Sequence, residues 1–219
     1  LGQREAINTC IACNQACLDH VFQQKIASCL VNPRAGHETL LRIQPAVARK
    51  KVAVVGAGPA GLAAACTAAE RGHAVTLIEA SDAIGGQFKL AAQIPGKEEF
   101  RETIRYFTHR LAAAGVDLQL NTRASAESLK GFDAVLLASG VTPRSPRIPG
   151  QDLPHVLSYA ELLSGQKTVG ERVVIVGAGG IGFDVAEYLL EAGHSLTLDE
   201  AAWRRHWGVT DPAEQAGGL

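Results

Sequence analysis

The chain has 219 residues, of which 47% are hydrophobic and 20% are charged, and its 21 basic residues nearly balance its 22 acidic ones. This composition is typical of a globular protein, and the lack of a basic surplus argues against a nucleic-acid partner, whose phosphates attract cations. The longest apolar stretch, residues 52–66, is interrupted by three glycines and a proline, so it lacks the ~20 apolar residues that a membrane span requires.

The first residues favour a fragment of a longer protein. The sequence opens with Leu1 and contains no methionine, so we expect a chain that is truncated at both ends. No basic start followed by an apolar core and a cleavage site is present, which argues against a secretory signal. We therefore expect a soluble protein of the reducing cytoplasm, with no membrane partner.

Strand and helix patterns alternate after residue 49. Short apolar runs predict strands, and apolar residues at helical spacing, such as Phe100, Ile104, Phe107 and Leu111, predict helices. The predicted elements are a strand at 51–55, a helix at 59–71, a strand at 74–78, a helix at 97–114, strands at 116–120, 132–138 and 172–176, and a helix at 181–190. The alternation predicts an α/β fold with Rossmann-like domains, in which helices cover both faces of a parallel sheet.

Prolines at positions 143, 146, 149 and 154 break the periodic patterns between two strand-helix regions. We interpret this stretch as an extended connection between domains. The predicted boundaries are a cysteine-rich segment at residues 1–48, the first part of one nucleotide-binding domain at 49–150, and the start of a second, incomplete one at 151–219.

Gly56, Gly58 and Gly61 form a G-x-G-x-x-G turn between the first predicted strand and helix. In such turns the first glycine permits a tight bend, the second lets the backbone approach a pyrophosphate, and the third lets helix and strand pack closely. The helix N-terminus offers unpaired N–H groups to the anion. Glu79 ends the next strand, where its carboxylate would accept hydrogen bonds from ribose hydroxyl groups. We predict a dinucleotide site, with a purely structural turn as the alternative.

Gly177, Gly179 and Gly182 repeat this turn 121 residues later, and the repeat extends to the pairs Gly72–His73 and Gly193–His194. Two such turns predict two dinucleotides. A flavin and a nicotinamide held by consecutive domains would allow hydride to pass from one to the other, whereas two nicotinamides would have little to exchange.

A mechanical extension of the repeat places Glu200 opposite Glu79. That alignment would favour NADH over NADPH, because a carboxylate at this position binds an unmodified ribose. The competing interpretation is that Asp199 and Glu200 lie on a solvated segment, since no strand pattern surrounds them.

Four of the five cysteines, Cys10, Cys13, Cys17 and Cys29, have the spacing C-x2-C-x3-C-x11-C. Four thiolates are the soft ligands that an iron–sulfur cluster or a tetrahedral zinc ion requires. The first three can reach one cluster from a single loop, and zinc sites more often use paired C-x2-C motifs, so we predict an iron–sulfur cluster. Zinc and unliganded thiols are the alternatives. Cys66 lies in a predicted helix and is interpreted as a packing residue.

Redox chemistry predicts the order in which electrons pass between these sites, because a nicotinamide delivers two electrons and a cluster accepts one, whereas a flavin can exchange either. The predicted order is nicotinamide, flavin, cluster.

Several segments of the sequence resemble the bacterial NADPH-dependent 2,4-dienoyl-CoA reductases. That family is similar to trimethylamine dehydrogenase and to other old-yellow-enzyme-type flavoproteins with a C-terminal reductase extension. The segments that carry the resemblance are residues 10–19, 28–35, 56–61, 85–88, 93–100 and 177–184.

The resemblance implies a β/α barrel that binds FMN and an unsaturated acyl-CoA substrate, then a 4Fe-4S segment, then FAD- and NADPH-binding domains. The implied cluster ligands are Cys10, Cys13, Cys17 and Cys29. The implied FAD residues are Gly56, Ala57, Gly58, Gly61, Glu79, Gly86, Gln87, Ser139 and Gly140, and the implied NADPH residues are Gly177, Gly179 and Gly182. Ser139 stands where the family has a threonine. The barrel, with its Tyr and His acids, lies outside this sequence, so we predict no catalytic residue within it.

The leading hypothesis is therefore the electron-entry portion of a 2,4-dienoyl-CoA reductase. We expect it to be inactive alone and to retain FAD poorly, because the segment that completes the FAD domain of the family is absent from this sequence. One alternative is a trimethylamine dehydrogenase-like or enoate reductase-like iron–sulfur flavoenzyme built on the same scaffold. An alternative of another class is a non-catalytic nucleotide- or zinc-binding module.

Overall fold

The structure is a computed structural model that describes residues 2–191 and 195–218. The predicted Gly193–His194 pair lies outside these residues. The chain divides into two compact units, which we call unit 1 (residues 1–89 and 99–145) and unit 2 (residues 90–98 and 146–219). Segment 90–98 thus belongs to unit 2, although the residues on both sides of it belong to unit 1.

Unit 1 contains a four-stranded parallel sheet. Its strands are β1 (Lys51–Val55), β2 (Ala74–Ile78), β3 (Asp117–Gln119) and β4 (Ala134–Leu137). They lie in the order β3-β2-β1-β4, and Val52 is paired with both Val75 and Ala134. The prediction of an α/β fold with a parallel sheet is therefore confirmed.

The helices are mostly short. They are α1 (Leu18–Phe22), α2 (Pro59–Glu70), α3 (Phe88–Ala91), α4 (Phe100–Ala113), α5 (Tyr159–Leu163), α6 (Gly180–Leu190) and α7 (Glu200–Trp207), with 3-10 turns at Arg4–Ala6, Leu196–Leu198 and Ala216–Gly218. Pro59 occupies the start of α2, where its fixed φ favours helix entry and its missing N–H costs nothing. Within residues 2–191 and 195–218, no helix is both long enough and apolar enough to cross a membrane.

The hydrophobic core of unit 1 lies on one face of the sheet. Val54 of β1 and Leu77 of β2 pack there against Leu62 of α2 and Leu111 of α4, and each of these side chains is at most 3% exposed. Burying each side chain stabilises the fold by about 1.5–3 kcal/mol. Ala53 and Ile78, which alternate onto the opposite face of β1 and β2, are buried as well (0% and 4% exposed). The connections β1–α2–β2 and β2–α4–β3 step in the same direction, and right-handed connections of that kind place their helices on one face.

Within unit 1, the cysteine-rich segment is hydrogen-bonded at both of its ends to the region of the sheet and its helices. Near its start, the guanidinium group of Arg105 in α4 donates to the carbonyl oxygens of Arg4 (3.1 Å) and Ile7 (3.0 Å). Near its end, Nε of Arg71 donates to the carbonyl oxygen of Gln44 (3.1 Å). Two arginines therefore fix this segment to the nucleotide-binding region.

Unit 2 is organised around helices. Ser158 and Glu161 form a capping box at the start of α5, in which each side chain accepts a hydrogen bond from the other residue's backbone N–H. The strand predicted at residues 172–176 is wrong for the described residues, because this segment has no ladder partner and leaves Val174 88% and Val176 77% exposed. A strand needs a neighbouring strand for its backbone hydrogen bonds, and the described part of unit 2 contains none.

Candidate dinucleotide and metal sites

Three strand ends meet at the carboxyl edge of the sheet in unit 1. Gly56 follows β1, Glu79 follows β2, and Ser139 lies two residues after β4. Because β2 and β4 flank β1 on opposite sides, the direction of chain progression reverses next to β1. Ligands of open parallel sheets bind outside the carboxyl ends of the strands at such a switch point. The fold therefore brings the first glycine turn to the edge where a dinucleotide is expected.

Two glycines of this turn have no room for a side chain. Gly56 has a φ of +101°, which other residues rarely adopt, and a Cβ there would clash with the carbonyl oxygen of Ala138. A Cβ on Gly61 would clash with the carbonyl oxygen of Gly56. Both contacts agree with the structural roles predicted for the first and third glycines.

A second glycine pair faces the turn. The N–H of Gly85 donates to the carbonyl oxygen of Ala57 (2.8 Å), and a Cβ on Gly86 would lie 3.0 Å from Cα of Gly58. The two backbones therefore approach each other with no side chain between them. Gly58 is also the N-cap residue of α2, and no side chain caps this helix, so its N-terminus is suited to an anion. This bare backbone fits the pyrophosphate of a dinucleotide.

Glu79 is hydrogen-bonded to the glycine turn itself. Its Oε2 accepts from the N–H of Ala57 (2.7 Å), and its Oε1 accepts from the N–H and the hydroxyl group of Ser81 (both 2.8 Å). The sequence analysis predicted only a ribose acceptor and missed Ser81, whose signal is a small hydroxyl residue two positions after a strand-end acid. Oε2 accepts only the bond from Ala57 and keeps a second lone pair, so the side chain can still accept from a ribose.

These hydrogen bonds lower the pKa of Glu79. Partial burial acts to raise it, but the bonds from Ala57 and Ser81 and the positive charge of Lys89 outweigh burial, and the pKa lies below its usual value. The carboxylate is therefore charged at neutral pH and stabilises the turn in that form.

Wild-type unit 1 is expected to lose stability in acid more steeply than a Glu79→Gln variant. The unfolded carboxyl titrates near pH ~4.3, so the stabilisation is fully present above that value and is lost as the pH falls through the lower folded pKa. Urea unfolding midpoints between about pH 5 and pH 3 measure the difference. Glu127→Gln, at an ion pair whose Glu127 side chain is 80% exposed, is the control. Equal slopes for wild type and Glu79→Gln would contradict the assigned role.

The remaining predicted FAD residues lie near the same edge. Nε2 of Gln87 donates to the carbonyl oxygen of Val141 (3.2 Å) and so links the second glycine pair to the chain after β4. Cα of Ser139 would lie 3.1 Å from a Cβ on Gly56, and Gly140 has a φ of +76°. The structure thus gathers the predicted set around β1, while FAD contact itself stays a prediction for each residue.

The second glycine turn repeats this local geometry in unit 2. Gly177 has a φ of +125°, and a Cβ on Gly182 would clash with the carbonyl oxygen of Gly177. Gly179 is the N-cap residue of α6, again without a side-chain cap. A Cβ on Gly179 would meet no atom within 4 Å, so the approach to the helix N-terminus is open. This turn fits the pyrophosphate of a second dinucleotide.

Asp199 and Glu200 belong to a helix and do not mark a ribose site. Oδ1 of Asp199 accepts from the N–H of Ala202 (2.9 Å) and caps α7, and Glu200 forms an ion pair with Arg204 one turn later (2.7 Å). The alignment of Glu200 with Glu79 is therefore wrong, because Glu79 follows a strand and Glu200 begins a helix. The structure agrees with the interpretation of a solvated segment.

The loops that carry the four N-terminal cysteines lie against each other. The N–H of Ser28 donates to the carbonyl oxygen of Ala16 (2.6 Å), and each of these residues directly precedes a cysteine. Nδ2 of Asn8 also donates to the carbonyl oxygen of Val31 (2.7 Å). The backbone therefore places the segment with three cysteines beside the segment with the fourth.

The cysteine side chains themselves are not gathered at one point. Cys10 and Cys17 are exposed, and Cys13 and Cys29 are partly buried. Across residues 2–191 and 195–218, no three His, Cys, Asp or Glu side chains are grouped closely enough to hold a metal ion. The donor chemistry fits an iron–sulfur cluster, and ligation stays a prediction. Cys66 is buried in the core, and burial raises the pKa of its thiol, which confirms it as a packing residue.

Comparisons with known proteins agree with this fold. The chain is similar to a metal reductase from Desulforamulus reducens, with 41% identity over 209 residues that cover 93% of this chain and 31% of the relative. It is also similar to the structure of a 2-naphthoyl-CoA reductase in complex with 2-naphthoyl-CoA, with 44% identity, a TM-score of 0.83, and coverage of 86% of this chain and 29% of that one.

A further solved structure is the 6-hydroxypseudooxynicotine amine oxidase from Pseudomonas geniculata N1, with 32% identity, a TM-score of 0.62, and coverage of 72% of this chain and 26% of that one. The chain spans about a third of the length of the curated relatives it matches (31% of the metal reductase). Residues 50–213, which include both glycine turns, match the family model described as pyridine nucleotide-disulphide oxidoreductase. The chain therefore belongs to the pyridine nucleotide-disulphide oxidoreductase family.

Proposed function

We propose that this chain is the electron-entry portion of an NADPH-dependent iron–sulfur flavoenzyme of the 2,4-dienoyl-CoA reductase type. When bound, the flavin would take hydride from the nicotinamide and supply electrons singly to a 4Fe-4S cluster. The observation that carries the proposal is the pair of glycine turns, each at the uncapped N-terminus of a helix in a chain of this family.

The first turn is the proposed FAD site. No side chain lies between the backbones of Gly58 and Gly86, and α2 begins at Gly58 without a side-chain cap, so its N-terminus would face a bound pyrophosphate. Glu79 would accept from the adenosine ribose while holding Ala57 in place. These residues bind and orient the dinucleotide, and none of them transfers a proton.

The second turn is the proposed nicotinamide site, with Gly177, Gly179 and Gly182 at the pyrophosphate. NADPH is the proposed donor, in keeping with the family that the sequence resembles. A carboxylate on the adenosine ribose would repel the 2′-phosphate of NADPH, and Glu200, which the glycine repeat places opposite Glu79, begins a helix instead.

Cys10, Cys13, Cys17 and Cys29 are the proposed ligands of the cluster. The proposed recipient of the electrons is an FMN-binding barrel of the same enzyme, which would reduce an unsaturated acyl-CoA. The likeness to a 2-naphthoyl-CoA reductase supports a thioester substrate of this class. The likeness to an amine oxidase supports an amine-oxidising alternative on the same scaffold.

Two matched alanine variants test whether the first turn binds FAD and the second turn binds NADPH. Gly58 and Gly179 both have ordinary negative φ values, and a Cβ at either position would meet no atom closer than 4.0 Å. Both variants should therefore fold, while the new methyl group obstructs the pyrophosphate. We expect Gly58→Ala to lower FAD content after reconstitution, and Gly179→Ala to weaken NADPH binding with FAD content unchanged. Loss of both ligands in both variants, or of neither, would contradict the proposal.

The substrate is tested on the complete natural protein. NADPH-dependent reduction of a 2,4-dienoyl-CoA is the expected activity. Flavin reduction by an amine in the absence of NADPH, together with inertness toward dienoyl-CoA, would support the amine-oxidising alternative instead.

A further inference from the structure

Segment 90–98 contacts α6, the helix that begins at the second glycine turn. It contains Lys97 and Glu98, which belong to the 93–100 stretch noted above, and it is part of unit 2. Nζ of Lys97 forms an ion pair with Oδ1 of Asp184 (2.6 Å), and the two side chains are 39% and 29% exposed. Asp184 lies in α6, the helix that begins at the second turn.

The next residue anchors the same segment to the chain beyond α6. Oε2 of Glu98 accepts from the hydroxyl group of Thr197 (2.8 Å), and the N–H of Gly96 donates to Oγ of Ser195 (3.3 Å). Two neighbouring residues of the segment, Lys97 and Glu98, thus hold α6 and the residues after it. The position of Lys97 is therefore fixed by the hydrogen bonds of its neighbours Gly96 and Glu98 as well as by its own ion pair.

The position of Asp184 creates an electrostatic problem for a dinucleotide. It is the fifth residue of α6, so its Cα lies about 6 Å along the helix axis from the first residue. A charge at Asp184 is therefore only partly screened at the start of the helix, because the Debye length at physiological ionic strength is about 8 Å. An unpaired carboxylate there would repel a pyrophosphate bound at the helix N-terminus. Lys97 provides the opposite charge at that carboxylate.

We propose that Lys97 is a positioning residue for the nicotinamide dinucleotide, which acts by cancelling the charge of Asp184 next to the pyrophosphate site. The inference rests on the proposed function of the second turn. It predicts an asymmetry between the partners: removing the lysine exposes a repulsive charge, whereas removing the carboxylate does not. A purely mechanical ion pair would make the two losses equal.

The test is the dissociation constant of NADPH, and separately of NADH, measured on the full chain by tryptophan fluorescence at low and high salt. Lys97→Ala should weaken binding about three- to tenfold at low salt, and less at high salt. Asp184→Asn should bind at least as tightly as wild type, and the double variant should regain most of the affinity that Lys97→Ala loses. Lys97→Arg should stay close to wild type. Lys167→Ala is the control, since it removes the same charge from an ion pair of similar exposure in unit 2.

The outcomes separate this inference from the function on which it rests. Wild-type protein that binds neither nucleotide would overturn the proposed nicotinamide site. Wild-type protein that binds NADPH, with equal losses in Lys97→Ala and Asp184→Asn and no recovery in the double variant, would overturn the charge-cancelling role alone. A loss in Lys167→Ala as large as that in Lys97→Ala would also overturn it.

Discussion

Gly56→Ala is expected to lower the free energy of unfolding of unit 1 by about 3 kcal/mol or more. Two costs add at this position. The φ of +101° is unfavourable for alanine, and the new Cβ would clash with the carbonyl oxygen of Ala138 and approach Cα of Ser139 to 3.1 Å. Both neighbours are backbone, so no rotamer change relieves the contact. Urea unfolding followed by circular dichroism measures the loss.

Two other glycines separate the two costs. Gly72 has a φ of +94° but nothing within 4 Å of a Cβ, so Gly72→Ala should lose about 1–2 kcal/mol. A Cβ on Gly170 also meets nothing, and its φ is not positive, so Gly170→Ala should stay within about 0.5 kcal/mol of wild type. If Gly56→Ala costs no more than Gly72→Ala, the close approach between the glycine turn and the chain after β4 is refuted.

Cys29→Ser is expected to lose most of the iron that the wild-type chain takes up on anaerobic reconstitution with iron and sulfide. Loss of an outer-sphere partner alone lowers metal affinity about 10–100-fold, and loss of a ligand should cost at least as much. Small metal sites close around the metal as it binds, and the backbone contact between Ser28 and Ala16 already holds the two cysteine segments side by side. Iron and sulfide per chain are measured by chemical analysis.

Cys66→Ala is the matched control, because Cys66 is buried in the core of unit 1 and away from the loops. It should bind as much iron as wild type. A wild-type chain that takes up zinc but never iron would replace the cluster by the zinc alternative. Equal iron in wild type and Cys29→Ser would remove the fourth ligand from the proposed set.

The four strands and the two long helices of unit 1 were predictable because each is encoded locally, whereas the short helices α1 and α3 were not predicted. The apolar run at residues 51–55 and the apolar stripe of Ile104, Phe107 and Leu111 each carry their own period. The strand predicted at residues 172–176 shows the limit of this reasoning. Its apolar run has the composition of a strand, but a ladder depends on a neighbour that a local pattern cannot supply. Asp199 was ambiguous for a related reason, since an acidic residue caps a helix as readily as it ends a strand.

The candidate sites divide in the same way. Glycine spacing was enough to predict both turns, because a tight bend and a close helix approach each demand a missing Cβ at a set interval. The hydrogen bond between Glu79 and Ala57, and the ion pair of Lys97 with Asp184, join residues whose separation carries no period. No pattern in the sequence could have paired them.

By itself, the sequence determined the four strands and the two long helices of unit 1, the two turns that require glycine, and the side chains that have the chemistry to ligate iron. Such features depend on a few residues and their spacing. Only the tertiary structure decided three further features. Segment 90–98 belongs to unit 2, the Glu79 carboxylate accepts a hydrogen bond from the first glycine turn, and the two cysteine loops are in contact. Those contacts form between residues distant in the chain, and their free energy exists only once the whole unit is folded.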